Sequence, residues 1–475
     1  MYKVNITSKL YALYAVIGLL ILSLFFWWIF ITPQIEIQKT QTVDFESFIN
    51  PEHTIPVITI STASENLWDP EIGLYVEGNH INYKQTGEDW ERPAVMKYYH
   101  SSETNGFELG FTREIGLRLH GNALRSMPQK AFRIYFKDEY QNPSKLVYPL
   151  FDEDRPEVFS TLILRNGDPS YSLIREQVVT TLVSQASEVD VMRGKPVVLY
   201  LNGEYWGIYF LRERFDETYF EERYNLDKDY LGLLYAQLGH EPKGYLLADN
   251  SQSEQDAVYY NAILKNASAC KDCLSAGTAD SQIDVQNMID YYFFELYFSN
   301  TDWPYNNLKA WRYKTQSNFP PESELIPELD GRFRWLLFDF DGSMGAGNIT
   351  SEKMIDSARS NNSYGLLIDN DFPLRNLFYD DEFRQFYHTR STELLDTVLD
   401  PENTTTVINQ IVAEIEPEVV RHTERWGNEK GLEGKPVVSD YQTWQEHVAL
   451  LEQYLQARPE AFKKYTEEFF AKEPK

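Results

Sequence analysis

Residues 300–307 have the sequence Asn-Thr-Asp-Trp-Pro-Tyr-Asn-Asn, and residues 339–342 have the sequence Asp-Phe-Asp-Gly. The two stretches supply an aspartate, an asparagine five residues later and a carboxylate pair, namely Asp302, Asn307, Asp339 and Asp341. Asp302 can orient a hydroxyl nucleophile, while Asn307 and a second carboxylate can hold a metal ion that bridges nucleotide phosphates. Asp and Asn are also common in loops and helix caps, so this spacing alone is a weak signal.

The carboxylate pair follows an apolar run, Trp335–Phe338. Alternation along an extended segment places Asp339 and Asp341 on the same side. Two carboxylates held together either bind a cation or have a raised pKa. An ordinary turn at the end of a strand is the alternative, but the presence of Asp302 and Asn307 favours a site for Mg²⁺ or Mn²⁺.

The composition is that of a folded and strongly acidic protein. Of 475 residues, 43% are hydrophobic and 15% aromatic, which disfavours disorder over most of the chain. The formal net charge of −28 argues against nucleic acid as the main partner. A protein with this charge needs local cations to bind ATP, so basic residues must lie near the acidic set.

Residues 10–31 form an apolar stretch that contains no charged side chain. As a helix it would extend roughly 33 Å, enough to cross a bilayer core. A cleaved signal peptide is the alternative, but its apolar region would be shorter and would end in small residues. We therefore expect an uncleaved transmembrane anchor.

Lys3 and Lys9 precede the apolar stretch and predict a cytoplasmic tail at residues 1–9. The polar residues 32–54 then form a stalk outside the cytoplasm. The chain is expected to be a single-pass membrane protein whose main domain is extracytoplasmic.

The fold class predicted for the remainder is α+β, in two lobes. Residues 55–212 contain short alternating runs typical of antiparallel strands, one of them at Gly73–Val76, together with a helix near residues 172–187. Asn202-Gly203 is the preferred two-residue connection of a β-hairpin. Residues 213–475 have mainly helical periodicity, with a helix predicted at Asp284–Ser299, directly before Asn300, and two strands predicted at 308–313 and 333–339.

The cysteines, Cys270 and Cys273, form one Cys-x-x-Cys pair. Without a second pair a zinc site is improbable. Outside the cytoplasm a small structural disulfide is the better interpretation.

Candidate nucleotide-binding residues lie between the predicted strands. A turn that contains Gly121, Asn122 and Arg125 could provide donors for phosphate, as could Lys130 at the start of the next strand. Glu176, on the helix that follows, could pair with Lys130. Glu213 lies where the two lobes meet, and backbone groups there could bind adenine. A solvated turn and a surface charge run are the ordinary alternatives for these two segments.

Several segments, taken in order, resemble the CotH kinase-like family, named after the spore-coat protein H kinase. The segments that carry the resemblance are Pro56–Ile60, Asp69–Val76, Trp90–Pro93, Gly116–Asn122, Pro128–Arg133, Leu164–Gly167, Val198–Tyr209, Leu211–Asp216, Asn300–Pro304 and Trp335–Asp339. The spacing from Asp302 to Asn307 also matches the catalytic loop of protein kinases, although Asn300-Thr301 replaces the usual His-Arg.

The resemblance implies an atypical protein-kinase fold that transfers phosphate from ATP to hydroxyl groups of extracytoplasmic proteins. It implies that Lys130 pairs with ATP phosphate, that Asp302 is catalytic, and that Asn307 with Asp339 and Asp341 holds the metal. The chain departs from Asp-x-Asp-Phe-Gly, because Gly342-Ser343 follow Asp341. A catalytically inactive envelope scaffold or adhesin is the main alternative, and polysaccharide hydrolysis by a carboxylate pair ranks last.

Overall fold

The strands of the computed structural model fall into a barrel and two smaller sheets. In chain order they are β1 (Val57–Ser61), β2 (Arg92–Ser102), β3 (Gly106–Leu119), β4 (Phe132–Tyr135), β5 (Leu146–Tyr148), β6 (Glu157–Phe159), β7 (Thr161–Arg165), β8 (Asp190–Val191), β9 (Gly194–Leu201), β10 (Glu204–Arg212), β11 (Leu231–Tyr235), β12 (Leu247–Ala248), β13 (Lys309–Tyr313) and β14 (Arg334–Leu337). The barrel has the order β1-β2-β3-β4-β7-β10-β9, and parallel pairing of β1 with β9 closes it. All other neighbouring strands of the barrel are antiparallel, as predicted.

The helices dominate the second half of the described chain. They are α1 (Ser64–Trp68), α2 (Arg175–Ala186), α3 (Glu217–Tyr224), α4 (Glu254–Ala267), α5 (Val285–Phe298), α6 (Ser351–Ser360), α7 (Asp381–Asp396), α8 (Pro401–Trp426) and α9 (Tyr441–Phe470). Aspartates cap several N-termini; Asp284, for example, accepts a hydrogen bond from the Asn287 amide at the start of α5. The α+β class is confirmed.

The barrel hairpin forms as its turn residues require. Asn202 and Gly203 both have positive φ, 49° and 87°, which a type I′ turn needs at its two central positions. By contrast, residues 73–76, which alternate like a strand, are not one. Their amides bond back to α1, as when Tyr75 donates to the Leu67 carbonyl, so they close a turn instead.

The barrel interior determines which way its charged residues point. Leu162 and Leu164 of β7 pack in the barrel core, so Ile163 and Arg165 face outward. A second and larger core surrounds α5, which is buried without interruption from Met288 to Phe298. The barrel and the helical region therefore have separate cores.

The five-stranded sheet has the order β12-β11-β13-β14-β8. Its edge strand β8 comes from the first half of the chain and pairs in parallel with β14. A boundary at residue 212 consequently cuts through this sheet, and residues 48–475 form one compact unit.

The structure describes residues 52–102, 106–152, 156–167, 172–236, 245–250, 253–267, 282–304, 306–314, 329–348, 350–368, 377–378, 380–431 and 437–471. The predicted tail, the anchor, nearly all of the stalk and the Cys270–Cys273 pair lie outside these ranges. Within them, no helix combines the length and apolar character that crossing a membrane demands.

Candidate functional site

The loop that carries Asp302 packs against the loop that carries Asp339 and Asp341. The side-chain amides of Asn300 and Asn307 both donate to the Asp339 carbonyl, at 3.4 and 3.3 Å. A β-carbon on Gly342 would lie 3.7 Å from an oxygen of the Asp302 carboxylate. The acidic set predicted from sequence is therefore brought together in space.

Two members of this set have unusual backbone conformations. Asn307 and Asp339 have φ values of 54° and 62°, in the left-handed region that residues other than glycine rarely adopt. Such conformations persist where surrounding contacts hold them, and they concentrate at functional sites. Asp302 itself is exposed, so an incoming hydroxyl can reach its carboxylate.

Arg165, at the end of β7, is the cation that faces the acidic pair. Its Nη2 donates to Asp339 Oδ1 at 2.5 Å and to Asp341 Oδ2 at 2.7 Å. Its Nε lies 3.3 Å from Glu176 Oε2 at the start of α2. A strand cation paired with a helix glutamate and placed beside metal-binding aspartates is the arrangement that protein kinases build with lysine.

Glu176 is fixed from several sides. It is buried, accepts the Asp339 amide at 3.2 Å and lies 3.8 Å from Arg212. Burial raises the pKa of Glu176, but Arg212 and Arg165 outweigh it, so the net shift is downward and the group is ionised at neutral pH. The glutamate thus links α2, two barrel strands and the acidic loop.

The carboxylates of the site differ in protonation behaviour. Burial raises the pKa of Asp341 to about 6, with Asp339 and Glu176 adding to the shift and Arg165 opposing it. Partial desolvation of Asp302 also raises the pKa of its carboxyl, with a further contribution from Asp339. A raised pKa suits a carboxylate that accepts a proton near neutral pH.

Lys130 does not join this cluster. Its amine donates to the carbonyls of Arg125 and Met127, at 2.7 and 2.8 Å, and lies over the rings of Tyr75 and Tyr83. Burial lowers its pKa to about 8. Within the described residues it has no ion pair, so the predicted pairing with Glu176 is wrong: Arg165 and Arg212 make it instead.

The neighbouring turn is folded onto itself. The Arg125 guanidinium donates to the carbonyls of Gly121, Gln85 and Leu119, and the residue is buried. Gly121 has φ of 85°, and Asn122 precedes a short 3₁₀ turn at Ala123–Ser126. The predicted phosphate contact of Arg125 is therefore corrected to an internal structural role.

Glu213 is likewise engaged within the protein. Its carboxylate binds Arg193 at 2.5 and 2.9 Å, and its amide donates to the Arg193 carbonyl. It lines a cavity of about 90 Å³ together with Arg214 and Ser160. Its backbone donor is thus taken, and binding of adenine by Glu213 itself remains only a prediction.

Sequence inspection missed Arg165 as the central cation, although one signal was present. Every residue of Thr161–Arg165 is buried, and Arg165 is the one charged side chain in that apolar run. A charge in a buried strand must be paired, so its position predicts facing carboxylates. Spacing alone favours Lys130 instead, because it follows a glycine turn, as the phosphate-binding lysine of protein kinases does.

Arg458 stabilises the end of the helix that leads into the site. It is fully buried on α9 and donates to the carbonyls of Leu296, Tyr297, Ala358 and Asn361 at 2.6–3.1 Å. Two of these carbonyls belong to the last turn of α5, which leads directly into the Asp302 loop. A cation there is favourable to the helix dipole and fixes where the loop begins.

The oxygen donors suit a hard divalent cation. No group of three or more His, Cys, Asp or Glu side chains in the described ranges has the arrangement of a metal site. Mg²⁺, however, is usually bound through one or two carboxylates, with substrate phosphates and water completing its coordination. Asp341 Oδ1 is buried without a hydrogen-bond partner, which fits an oxygen available to such an ion.

Sequence comparisons identify the family. No curated protein sequence matches the chain. A family model described as CotH kinase protein matches residues 117–462. That range contains Arg165, Glu176 and the complete acidic set. The match covers the greater part of the sequence, and the chain therefore belongs to the CotH kinase family.

Proposed function

We propose that this protein is a metal-dependent kinase of atypical two-lobed kinase fold that transfers the terminal phosphate of ATP to hydroxyl groups of proteins. The observation that carries the proposal is the convergence of Asp302, Asn307, Asp339 and Asp341 beside the buried pair of Arg165 and Glu176. Family membership supports kinase activity in general.

Asp302 is the residue that acts on the acceptor. Its carboxylate is exposed, close to Gly342, and has a raised pKa. It accepts the proton of a Ser or Thr hydroxyl as the oxygen attacks the terminal phosphorus and the bond to the bridging oxygen breaks, leaving ADP. The Asn300 oxygen accepts the Asp302 amide at 3.3 Å and helps to orient the loop.

Asp339, Asp341 and Asn307 would hold the metal. Asn307 donates through its Nδ2 to the Asp339 carbonyl, which leaves its Oδ1 as an acceptor for a cation. When bound, Mg²⁺ or Mn²⁺ neutralises charge on the phosphates. Arg165 keeps the two aspartates side by side and balances their charge.

The test is phosphate transfer by the full-length chain, purified in detergent. Labelled ATP with Mg²⁺ or Mn²⁺ should label the protein itself or an added Ser-rich acceptor. Asp302→Asn should lower the rate by about 100-fold or more, with nucleotide binding retained. Asp396→Asn, on α7, is the matched control and should behave as wild type. Equal, background incorporation by wild type and Asp302→Asn across both metals would refute the proposal.

A second candidate is an inactive scaffold of the same fold. Arg165 already contacts both Asp339 and Asp341, and so it competes with a metal for the same oxygens. A scaffold should show no Mg²⁺-dependent thermal stabilisation by ATP, whereas a kinase should. This measurement separates the two candidates without knowledge of the acceptor.

The location of the protein is part of the proposal. The apolar stretch at residues 10–31 would anchor the chain, with residues 1–9 in the cytoplasm and the kinase region outside it. Membrane fractionation, followed by protease treatment of intact cells, tests this orientation. Full protection of the kinase region in intact cells would contradict it.

A further inference from the structure

A row of arginines crosses the outer face of the barrel. Arg118 pairs with Arg133, Arg133 with Ile163, and Ile163 with Arg212, on four adjacent antiparallel strands. Directly opposed residues in such strands point to the same side, and Arg165 shares that side because it lies two residues after Ile163. The face that carries Arg165 to the acidic loop therefore carries further cations.

Most of these cations are neutralised. Arg118 binds Glu91 at 2.5 Å, Arg212 lies near Glu176, and Arg165 is shared among carboxylates. Arg133 differs from the others, because no carboxylate in the described part of the chain pairs with it. Its side-chain partners are Tyr135 Oη at 3.2 Å and His120 Nδ1 at 2.9 Å, and its Nε is buried without a partner.

Arg214 and Lys309 complete a group that we call the Arg133 cluster, consisting of His120, Arg133, Arg214 and Lys309. Burial lowers the pKa of His120 well below its ordinary value, and Arg133, Arg165 and Arg214 lower it further. Arg214 lies two residues after Arg212 of the row, and the ring of the adjoining Phe215 lies 6.4 Å from the Phe338 ring, over which the Lys309 amine is placed. These contacts place Arg214 and Lys309 beside the Arg212 end of the row.

The carboxylates around the cluster offset it weakly. Asp216 lies 3.8 Å from Arg214, but its oxygens accept hydrogen bonds from Ser160 and from the amide of Tyr219. Lys309 lies two residues after Asn307, and its amine is over the ring of Phe338, which precedes Asp339. The cluster therefore borders the acidic site, on the side of β13 and β14.

We propose that the Arg133 cluster binds a phosphate oxyanion beside the metal-binding carboxylates, and that this binding needs no metal. Cations without carboxylate partners are costly in a crevice unless an anion joins them. Arginine with an unpaired Nε offers a donor for a phosphate oxygen, and neutral His120 can donate from its other nitrogen. The nucleotide or the acceptor supplies the phosphate, a choice that rests on the proposed function; the binding itself does not.

The test measures binding of sodium tripolyphosphate to the full-length chain in EDTA, by calorimetry and thermal unfolding at constant ionic strength. Arg133→Gln and Lys309→Gln should each weaken binding by about tenfold, as expected for a lost charge-assisted hydrogen bond. Lys464→Gln removes an equal charge at an exposed position on α9 and should leave binding unchanged. Equal affinity in all of these proteins would overturn the proposal.

Thermal unfolding without tripolyphosphate distinguishes binding from packing. Because Arg133 has no carboxylate partner in the described residues, Arg133→Gln should unfold at or above the wild-type temperature and lose the stabilisation by tripolyphosphate. Destabilisation of Arg133→Gln by the same amount with and without tripolyphosphate would indicate a packing role and overturn the proposal.

Two further arms identify the source of the phosphate. Competition between tripolyphosphate and metal-free ATP assigns the cluster to the nucleotide, and simultaneous binding assigns it to the acceptor; either supports the site. Asp341→Asn should keep tripolyphosphate binding while it loses the Mg²⁺-dependent effect of ATP. If tripolyphosphate binds but no phosphate is transferred from ATP, the proposed kinase activity is rejected and the proposed oxyanion site is retained.

Discussion

Replacement of Arg165 by methionine is the most direct perturbation of the site. The substitution keeps a similar side-chain length but removes the guanidinium from Asp339, Asp341 and Glu176, which lie 2.5, 2.7 and 3.3 Å from it. Arg165 is 9% exposed and Glu176 is 4% exposed, so water cannot fully replace the lost contacts. Three carboxylates would then face one another without their shared cation.

The expected cost follows from these contacts. Removing one partner of a buried ion pair costs about 3–5 kcal/mol. Arg212, 3.8 Å from Glu176, offsets part of the loss. We expect Arg165→Met to lower the free energy of unfolding by about 4 kcal/mol near neutral pH in EDTA.

The pH dependence makes this prediction specific. Without Arg165 the pKa values of Asp341 and Glu176 rise, because Arg165 lowers both, and each unit of rise is worth about 1.4 kcal/mol once the group is protonated. At about pH 5 protonated carboxyls no longer need a cation, so the cost should shrink by about 1–2 kcal/mol.

Urea denaturation followed by tryptophan fluorescence, at about pH 7.5 and pH 5, measures these differences. Lys464→Gln should change stability by less than about 0.5 kcal/mol. Adding Asp341→Asn to Arg165→Met should restore part of the loss. A cost below about 1 kcal/mol at neutral pH, or the same cost at both pH values, would show that this charge cluster is not what stabilises the site.

Three other substitutions test separate parts of the argument. Lys130→Met should lower the melting temperature by several degrees, because two carbonyls lose their donor, yet keep the rate of phosphate transfer within about twofold of the wild-type rate. A severe loss of transfer with unchanged stability in the absence of nucleotide would show that Lys130 acts in the active site. Arg458→Met should cost about 3–5 kcal/mol and raise hydrogen exchange at the end of α5, since four carbonyls lose a buried donor; wild-type exchange there would contradict its supporting role. Because the pKa of Asp341 is raised to about 6 in the folded protein, protonation of this carboxyl favours the folded state. This contribution to stability is complete below the unfolded-state pKa near 4 and is lost as the pH rises through about 6. Urea titrations of Asp341→Asn should therefore show a flatter pH dependence over that interval, and an unchanged slope would refute the assignment.

Local patterns predicted much of the fold. The hairpin at Asn202-Gly203, the helix that ends before Asn300 and the strand pair at β13 and β14 all form where turn chemistry and periodicity placed them. The strand expected at residues 73–76 failed because its amides found closer partners in α1. A short alternating run does not show whether a neighbouring strand will be there to pair with it.

The candidate site, too, was predictable from the sequence only in part. Asp302, Asn307, Asp339 and Asp341 lie on two loops next to paired strands, so their convergence was accessible from sequence. The cation could not be chosen from spacing, because Lys130 and Arg165 both lie near strand ends. Only the tertiary contacts show that Lys130 is held by carbonyls and Arg165 by carboxylates.

By itself, the sequence determined the alternation that builds the barrel, the amphipathic helices and the acidic loops, since these follow from interactions between residues close in the chain. The three-dimensional structure alone decided which basic residues reach the acidic loops and which donate to backbone carbonyls elsewhere in the protein. The physical reason is that charge pairing depends on distances of a few ångströms between residues more than a hundred positions apart, as between Arg165 and Asp339. Such distances are set by how the barrel and helices pack together.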